Sequence, residues 1–514
     1  MRKNFFWIVI LPSYLFLGIL LLPYYQYQIN PDGVSYISIA QKYLSGHWRE
    51  AVNGYWSPLF SWLLIPFLYF KIPALLASKI ISLGAGAFVL MQMKLFFRKL
   101  NISDQISLVS LFSFIPIVLR WVCYAVSPDL LLVPILLAYL YCVHLHKWGD
   151  ENFFVHGLVC GVLGGMAYLC KAYAFFFFLT HYFLFGLLFE VFQRGNQRKS
   201  TFLKKSIVCL MVFFLISGSW VSLLYKKYHK LTINTAAEFN ISLRISRFPG
   251  FPMLTRGLLP LPDDFSVSFW DDPKVFRNEK FGGLSVRDGF FLYVKMFFQN
   301  VRSARIYFQD ISPFLPAFFL LGALIVFPPF KTREQKCCAY FIAALGLYIS
   351  GYLFIYLEER YVWIAAPLMG FVSGLALEWL IESKNFSKVQ QGIILFCYAL
   401  SLLFYPCKYM YLNLNTGKEV LSLSSVLSAS NIHGNIAADP GYWPEGLYVS
   451  YYLGGRFYGV PEYKVSPRDI EKTLLQYGID YYLVFNKNAQ IIQSGYYKEL
   501  LQKNPFGVRV LKRI

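Results

Sequence analysis

Four short stretches of the chain place ionisable side chains at the ends of long apolar runs. They are Asp32 in NPDGVSY, Asp129 in AVSPDLLLVP, Lys171 in GGMAYLCKAYAFFFF, and Glu358-Glu359-Arg360 in LEERY. An ionisable group at membrane depth is costly, so it has either a partner or a task. Carboxylates and cations drawn from separate parts of a chain to one membrane boundary suit a polar substrate bearing a phosphate. A carboxylate accepts a hydroxyl proton, and preorganised cations stabilise charge developing on phosphate oxygens. Each residue also has a structural reading. Asp32 in a Pro-Asp-Gly turn caps the amphipathic segment 33–45. Asp129 after Ser-Pro suits a first helical turn facing the macrodipole. Lys171 snorkels to the headgroups, and LEERY forms an interfacial loop with a local ion pair. Taken one at a time, these residues leave both readings open.

The elements that must position them follow from composition. Of 514 residues, 57% are hydrophobic and 15% charged, against roughly half apolar and a quarter charged in soluble domains. Apolar runs of bilayer-spanning length recur near 5–24, 74–97, 106–122, 128–146, 156–171, 174–192, 206–225, 313–330, 337–356, 361–381 and 389–406, which predicts an α-helical polytopic membrane protein of about eleven spans. The run SPLFSWLLIPFLYF (57–70) is short and proline-bounded, as in a re-entrant or interfacial helix. The first run lacks a small-residue cleavage site and reads as an uncleaved span.

Basic residues sort the loops. Arg2, Lys3, Arg98, Lys99, Lys147, the loop QRGNQRKSTFLKKS, KTREQK and ESKNFSKVQ all fall to one side, which the positive-inside rule makes cytoplasmic. The N-terminus is then cytoplasmic. The loops 25–73 and 226–312, the LEERY turn and the tail face outward. Within the long loop, LSVRDGFFLYVKMFFQNVRSARIYF alternates phenylalanines with basic residues, as in a helix lying in the interface. In the tail, GNIAAD, DYYLVFN and GVRVLKRI read as short strands and SPRDIEKTLLQYG as a capped amphipathic helix. The expected organisation is a membrane domain over 1–408 and a small extracytoplasmic α/β domain over 409–514.

Other classes fit poorly. The net charge of +20 follows from lysines and arginines between apolar runs, with no zinc-finger spacing or basic helix, so nucleic acid is not an expected partner. The nine cysteines lie in or beside apolar segments rather than in the polar regions, unlike a disulfide scaffold. His144 and His146 are two apart and diverge on a helix, so no structural metal site is expected.

The first outer loop carries a resemblance. PDGVSYISIAQKYLSGHWREAVNGYWSPLFSWLLIPF resembles the corresponding loop of C-type-fold membrane glycosyltransferases, in particular the family 39 group of protein O-mannosyltransferases, lipid A aminoarabinose transferases and bacterial relatives. The matching residues are Asp32, Tyr36, Ala40, Gly46 and Ser-Pro-Leu at 57–59. GVLGGMAYLCK is similar to the family's Gly-rich span ending in Lys, and ERYVWIAAP to its Arg-Tyr…Pro element. The resemblance implies the C-type fold and transfer of a sugar, with inversion, from a polyprenyl-phosphate-linked donor to an extracytoplasmic glycolipid, polysaccharide or protein acceptor in a bacterial inner membrane. It implies Asp32 and Asp129 as catalytic carboxylates and Lys171 and Arg360 as ligands of the donor phosphate. Tyr36, Tyr55, Trp56 and Glu359 are further candidates for the substrate loop. The chain departs from the family in having Asp32-Gly33 where Asp-Glu is common, and Trp56-Ser57-Pro58 where His-Pro-Pro is common. One carboxylate in place of two favours a metal-free mechanism without a cofactor. The alternative class, a transporter or flippase of lipid-linked sugars, places charges in mid-span, often in broken helices. A scaffold protein would leave Asp32 dispensable.

Overall fold

The apolar runs are helices in the computed structural model, which describes residues 5–145, 152–186, 199–245, 257–274, 286–326, 332–383, 386–462, 466–486, 496–501 and 506–514. Among these residues, eight helices are long and apolar enough to cross a membrane: Phe6–Tyr25, Ala74–Lys99, Asp104–Tyr124, Phe153–Cys170, Phe202–Tyr228, Arg333–Leu353, Ala365–Glu382 and Lys388–Leu412. The other three expected spans are the shorter helices Asp129–Leu140, Ala174–Gly186 and Leu315–Val326. Residues 187–198 and 327–331, which would extend the last two, lie outside the described residues, as do Lys147 and Lys331 of the basic loops. The segment 57–70 forms the helix Leu59–Tyr69 directly after Pro58. The Phe- and basic-rich segment is a helix over Val286–Ile311. Its described length from Gly289 meets the next helix at 108°, so it lies across the direction of the spans.

Local chemistry sets the helix boundaries. Thr332 with Gln335, and Ser387 with Gln390, form reciprocal capping boxes at the starts of Arg333–Leu353 and Lys388–Leu412. Pro31 occupies the first helical position of Pro31–Leu44, where its missing N–H costs nothing.

Between Phe153–Cys170 and Lys199–Tyr228 the contact is made by glycines four residues apart. A Cβ on Gly157, Gly161 or Gly165 would lie 2.7 Å from the Lys205 carbonyl, 2.5 Å from the Cys209 carbonyl and 2.8 Å from Ile216 respectively. Small residues at this spacing let two helices approach backbone to backbone. This close pairing fixes the positions of two cations, because the first helix ends at Lys171 and the second at Lys227 and Tyr228.

Among the described residues, five strands close the chain: β1 (Asn435–Ala438), β2 (Arg456–Phe457), β3 (Tyr481–Val484), β4 (Tyr497–Leu501) and β5 (Arg509–Arg513). Their order is β2-β1-β3-β5-β4. β1 pairs parallel with β2 and β3, and β5 pairs antiparallel with β3 and β4. The expected helix in the tail is Pro467–Gln476, capped by the Ser466 hydroxyl. The last spanning helix continues to Leu412, past the expected division at residue 408. One apolar cluster joins Val34 and Ile37 of the first loop, Trp270 of the long loop, and Ile436, Leu447 and Leu483 of the tail. The sheet and the two loops therefore share a core, and the helix carrying Asp32 is one of its walls.

Candidate active site

Asp32 sits in the first turn of Pro31–Leu44, where a carboxylate is favoured by the helix dipole. The cap position belongs to Asn30, whose side chain instead accepts the Val126 N–H at 2.9 Å. The capping reading of Asp32 is thereby corrected, because both carboxylate oxygens are committed to side chains. Oδ2 is ion-paired with the Arg360 Nη2, and Oδ1 accepts the Trp270 indole N–H at 3.0 Å. Gly33 has a specific reason. A Cβ there would lie 2.6 Å from the Val126 Cβ and 2.9 Å from the Asn30 Oδ1. Only glycine lets the Asp32 turn close on the segment leading to Asp129.

Asp129 opens the helix Asp129–Leu140 after Pro128 and is 4% exposed. Its Oδ1 is ion-paired with the Lys171 Nζ, and its Oδ2 lies 3.5 Å from the Arg360 Nε. Lys171 follows the C-terminus of Phe153–Cys170, at the break before the next apolar helix. Its ammonium lies 3.5 Å from the centroid of the Tyr361 ring, a cation–π contact. Lys171 therefore points into the protein and does not snorkel. Arg360 completes the group, its Nε 2.8 Å from the Glu358 Oε2. One guanidinium thus touches three carboxylates from three parts of the chain.

Glu359 departs from the expectation that it lines the substrate loop. It is 2.6 Å from Arg120 on the helix Asp104–Tyr124, on the far side of the connection. The Arg120 guanidinium packs over the rings of Tyr405 and Tyr409 at 5.0 and 4.4 Å. Glu359–Val362 is a 3₁₀ turn, in which consecutive side chains diverge by about 120°. Glu358, Arg360 and Tyr361 face the cavity, and Glu359 anchors the turn from behind.

These groups line a cavity of about 540 Å³, within the range of small-molecule sites. Asp32, Asp129, Lys171, Glu358 and Arg360 form its polar end, with Tyr36, Tyr55 and Trp56 of the first loop beside them. Phe176, Phe177, Leu347 and Ile355 contribute apolar lining. Asn234, Asn240 and Trp270 of the long loop close the remaining side. Tyr36 and Trp56 meet edge to face at 5.1 Å, and the Tyr55 hydroxyl reaches the Asn240 Oδ1 at 3.4 Å. Seven of the eight expected site residues thus share one cavity, and Glu359 is the exception.

Sequence reasoning missed Trp270 and Asn240, and it gave Tyr361 only as part of the Arg-Tyr…Pro element, without a role in the site. The signal for the first was SFWDDP, an aromatic residue beside an acidic pair in a polar loop. Asp271 is fully buried and accepts hydrogen bonds from Ser35 at 3.1 Å, Ser38 at 2.5 Å and the Val267 N–H at 2.9 Å. Asp272 is 2.9 Å from Lys227 and accepts from the Tyr228 hydroxyl at 2.8 Å. Burial pushes the Asp271 carboxyl up to about 6, against the opposing pull of Lys42, Ser38, the Val267 N–H and Ser35. The folded form therefore binds its proton more tightly than the unfolded chain, so the contribution of Asp271 to stability is greatest at low pH and is lost as pH rises from about 4 to about 6. Thermal melting of the detergent-purified protein across pH 4.5–7.5 is expected to show this loss, and Asp271→Asn is expected to flatten it.

Among the described residues, no group of three or more His, Cys, Asp or Glu side chains is placed to hold a metal ion. The oxygens of Asp32 and Asp129 that would ligate one face a guanidinium and an ammonium.

No family model and no curated protein matches the chain. Solved structures do. ArnT from Cupriavidus metallidurans aligns in its apo state with a TM-score of 0.58 and 11% identity, covering 99% of this chain and 98% of that one. Bound to undecaprenyl phosphate, it aligns with a TM-score of 0.57 and 10% identity over 100% and 99%. The archaeal oligosaccharyltransferase AglB from Archaeoglobus fulgidus, in complex with an inhibitory peptide and a dolichol-phosphate, gives a TM-score of 0.51 and 10% identity over 94% and 70%. The arabinofuranosyltransferase AftD from Mycobacteria gives 0.52 and 12% over 100% of this chain and 40% of that one. All three are glycosyltransferases of one membrane fold, and at these identities the likeness speaks for architecture. The chain has the C-type glycosyltransferase fold.

Proposed function

We propose that the chain transfers a sugar, with inversion, from a polyprenyl-phosphate-linked donor to an extracytoplasmic glycolipid, polysaccharide or protein. The observation that carries this reading is a carboxylate, Asp32, held by two donors in a cavity whose lining is otherwise mostly apolar. The donor's phosphate lies against Lys171 and Arg360 and its hydrocarbon tail follows Phe176, Phe177, Leu347 and Ile355. The acceptor hydroxyl enters beside Asp32. Its oxygen attacks the anomeric carbon as the bond to the phosphate oxygen breaks, Asp32 takes the hydroxyl proton, and the polyprenyl phosphate leaves with the bonding pair. Lys171 and Arg360 stabilise that leaving charge. Asp129 holds both cations in place and acts as their organiser. The lipid phosphates named for ArnT and AglB, and the peptide named for AglB, support the kind of partner.

Charge favours a monophosphate donor. Three carboxylates and two cations line the polar end, a formal sum of −1, so a lipid pyrophosphate would bring two or more further negative charges against the same two cations. A transporter of lipid-linked sugars fits less well. Asp129 begins a helix, Lys171 follows one, and Arg360 lies in a connection, so the charges gather at helix ends instead of in mid-span. The positive-inside pattern supports a cytoplasmic N-terminus in a bacterial inner membrane, with the sheet outside.

The test is release of polyprenyl phosphate from a short-chain polyprenyl-phosphate sugar by the purified protein, with and without cell-envelope acceptor extracts. Acceptor-dependent release is the expected result, and EDTA is expected to leave the rate within about twofold because the Asp32 and Asp129 oxygens that would ligate a metal face Arg360 and Lys171. Donor that stays intact under every acceptor fraction would remove the transferase reading.

A further inference from the structure

We propose that Trp270 is the positioning residue that aims Asp32 when the donor phosphate engages Arg360. The inference rests on the reading of Asp32 as the proton acceptor. The two donors to Asp32 differ in how they are mounted. Arg360 comes from a distant connection and divides its guanidinium among Asp32, Glu358 and Asp129. A phosphate arriving beside it competes with those carboxylates for the same N–H groups. Trp270 is mounted on the Asp32 helix itself. The next residue, Asp271, accepts from Ser35 and Ser38, one and two turns beyond Asp32 on that helix. The Trp270 carbonyl accepts the Trp56 indole N–H at 2.8 Å, and the Asp271 carbonyl accepts the Asn53 side chain at 2.6 Å. Asp272 ties the same strip to Lys227 and Tyr228. The indole is 5% exposed and packs against Tyr55, Trp56 and Phe239 at centroid distances of 5.4, 5.9 and 5.8 Å.

The indole N–H therefore moves with the carboxylate it holds. A carboxylate offers about four lone-pair directions. With Oδ1 pinned by Trp270, the rest stay turned to the cavity even as Arg360 shifts its contacts to phosphate. Trp270 touches no reacting atom in this scheme, since its effect passes through Asp32.

Trp270→Phe keeps the packed ring and removes the N–H. Losing one hydrogen bond to a charged group predicts a fall in kcat of about 10–100-fold. The donor KM is expected to stay within about twofold, because Lys171 and Arg360 are untouched. A purely structural role would lower the amount of folded enzyme and leave kcat per folded molecule in place. An unchanged kcat per folded molecule, or a fall in kcat matched by a rise in donor KM, overturns the proposal. If Trp270→Phe does not fold, Trp56→Phe, which frees the Trp270 carbonyl while keeping the rings, is expected to lower kcat with the donor KM within about twofold, and no fall there overturns it. Asp32→Asn run alongside separates the two readings. Retained transfer in that variant overturns the role of Asp32 and of Trp270 together. Lost transfer in Asp32→Asn with wild-type behaviour in Trp270→Phe overturns the role of Trp270 alone.

Discussion

Asp32→Asn is expected to lower sugar transfer by about 10²–10⁴-fold, the range over which a positioned general base contributes. The substitution changes shape very little, so the argument is about protons and donors. Asn cannot take the acceptor's proton, and its amide offers one acceptor oxygen where Asp32 offers two. Both neighbours, the Arg360 Nη2 and the Trp270 indole, are donors. Whichever way the amide turns, one of them faces an N–H₂ group. The guanidinium keeps Glu358 at 2.8 Å and Asp129 at 3.5 Å, so the cluster around it persists. The helix keeps its anchors through Ser35 and Ser38. Loss of turnover with a melting temperature close to wild type in detergent is the outcome that assigns the proton to Asp32. Transfer within tenfold of wild type would remove it from the mechanism.

The membrane part was legible because apolar length is a one-dimensional property. Runs of bilayer length appear as helices, and their charged ends, Asp32, Asp129, Lys171 and Arg360, meet because adjacent helix ends at one boundary are close in space. The strands in GNIAAD, DYYLVFN and GVRVLKRI are present as β1, β3 and β5. β2 has two residues and β4, YKELL, does not alternate apolar and polar residues, so neither carried a period to read. Two other features depended on what no local pattern contains. Glu358 and Glu359 are adjacent and identical in type, and only the 3₁₀ turn decides which faces the cavity. Trp270 lies 238 positions from Asp32, in a loop with no periodicity. The Gly33 departure, read as a missing second carboxylate, is explained by packing on Val126. A larger residue there would separate Asp32 from the Asp129 segment.

Arg360→Lys is expected to cost transfer about 100-fold or more while raising the donor KM. The charge is conserved, so the effect isolates geometry. The guanidinium is a planar fork with donors on two edges, and here Nη2 serves Asp32 while Nε serves Glu358 and faces Asp129. An ammonium is a compact point charge on a shorter reach and cannot bridge carboxylates in that plane. Asp129 would keep Lys171, and Asp32 would keep the Trp270 indole. Glu358 would lose its partner beside the departing phosphate, where a repulsive charge opposes the negative charge that develops. Removing a single preorganised donor at such a centre costs roughly 10²–10³ in rate. The loss is expected in kcat, since charge builds on the phosphate in the transition state, and in KM, since the ground-state phosphate uses the same N–H groups. Lys171→Ala is the informative comparison. It leaves the fork intact and removes the partner of Asp129, so its loss of donor affinity should come with Asp32 still correctly held. If Arg360→Lys retained transfer within threefold, the phosphate would rest on Lys171 alone and Arg360 would be only a tie between carboxylates.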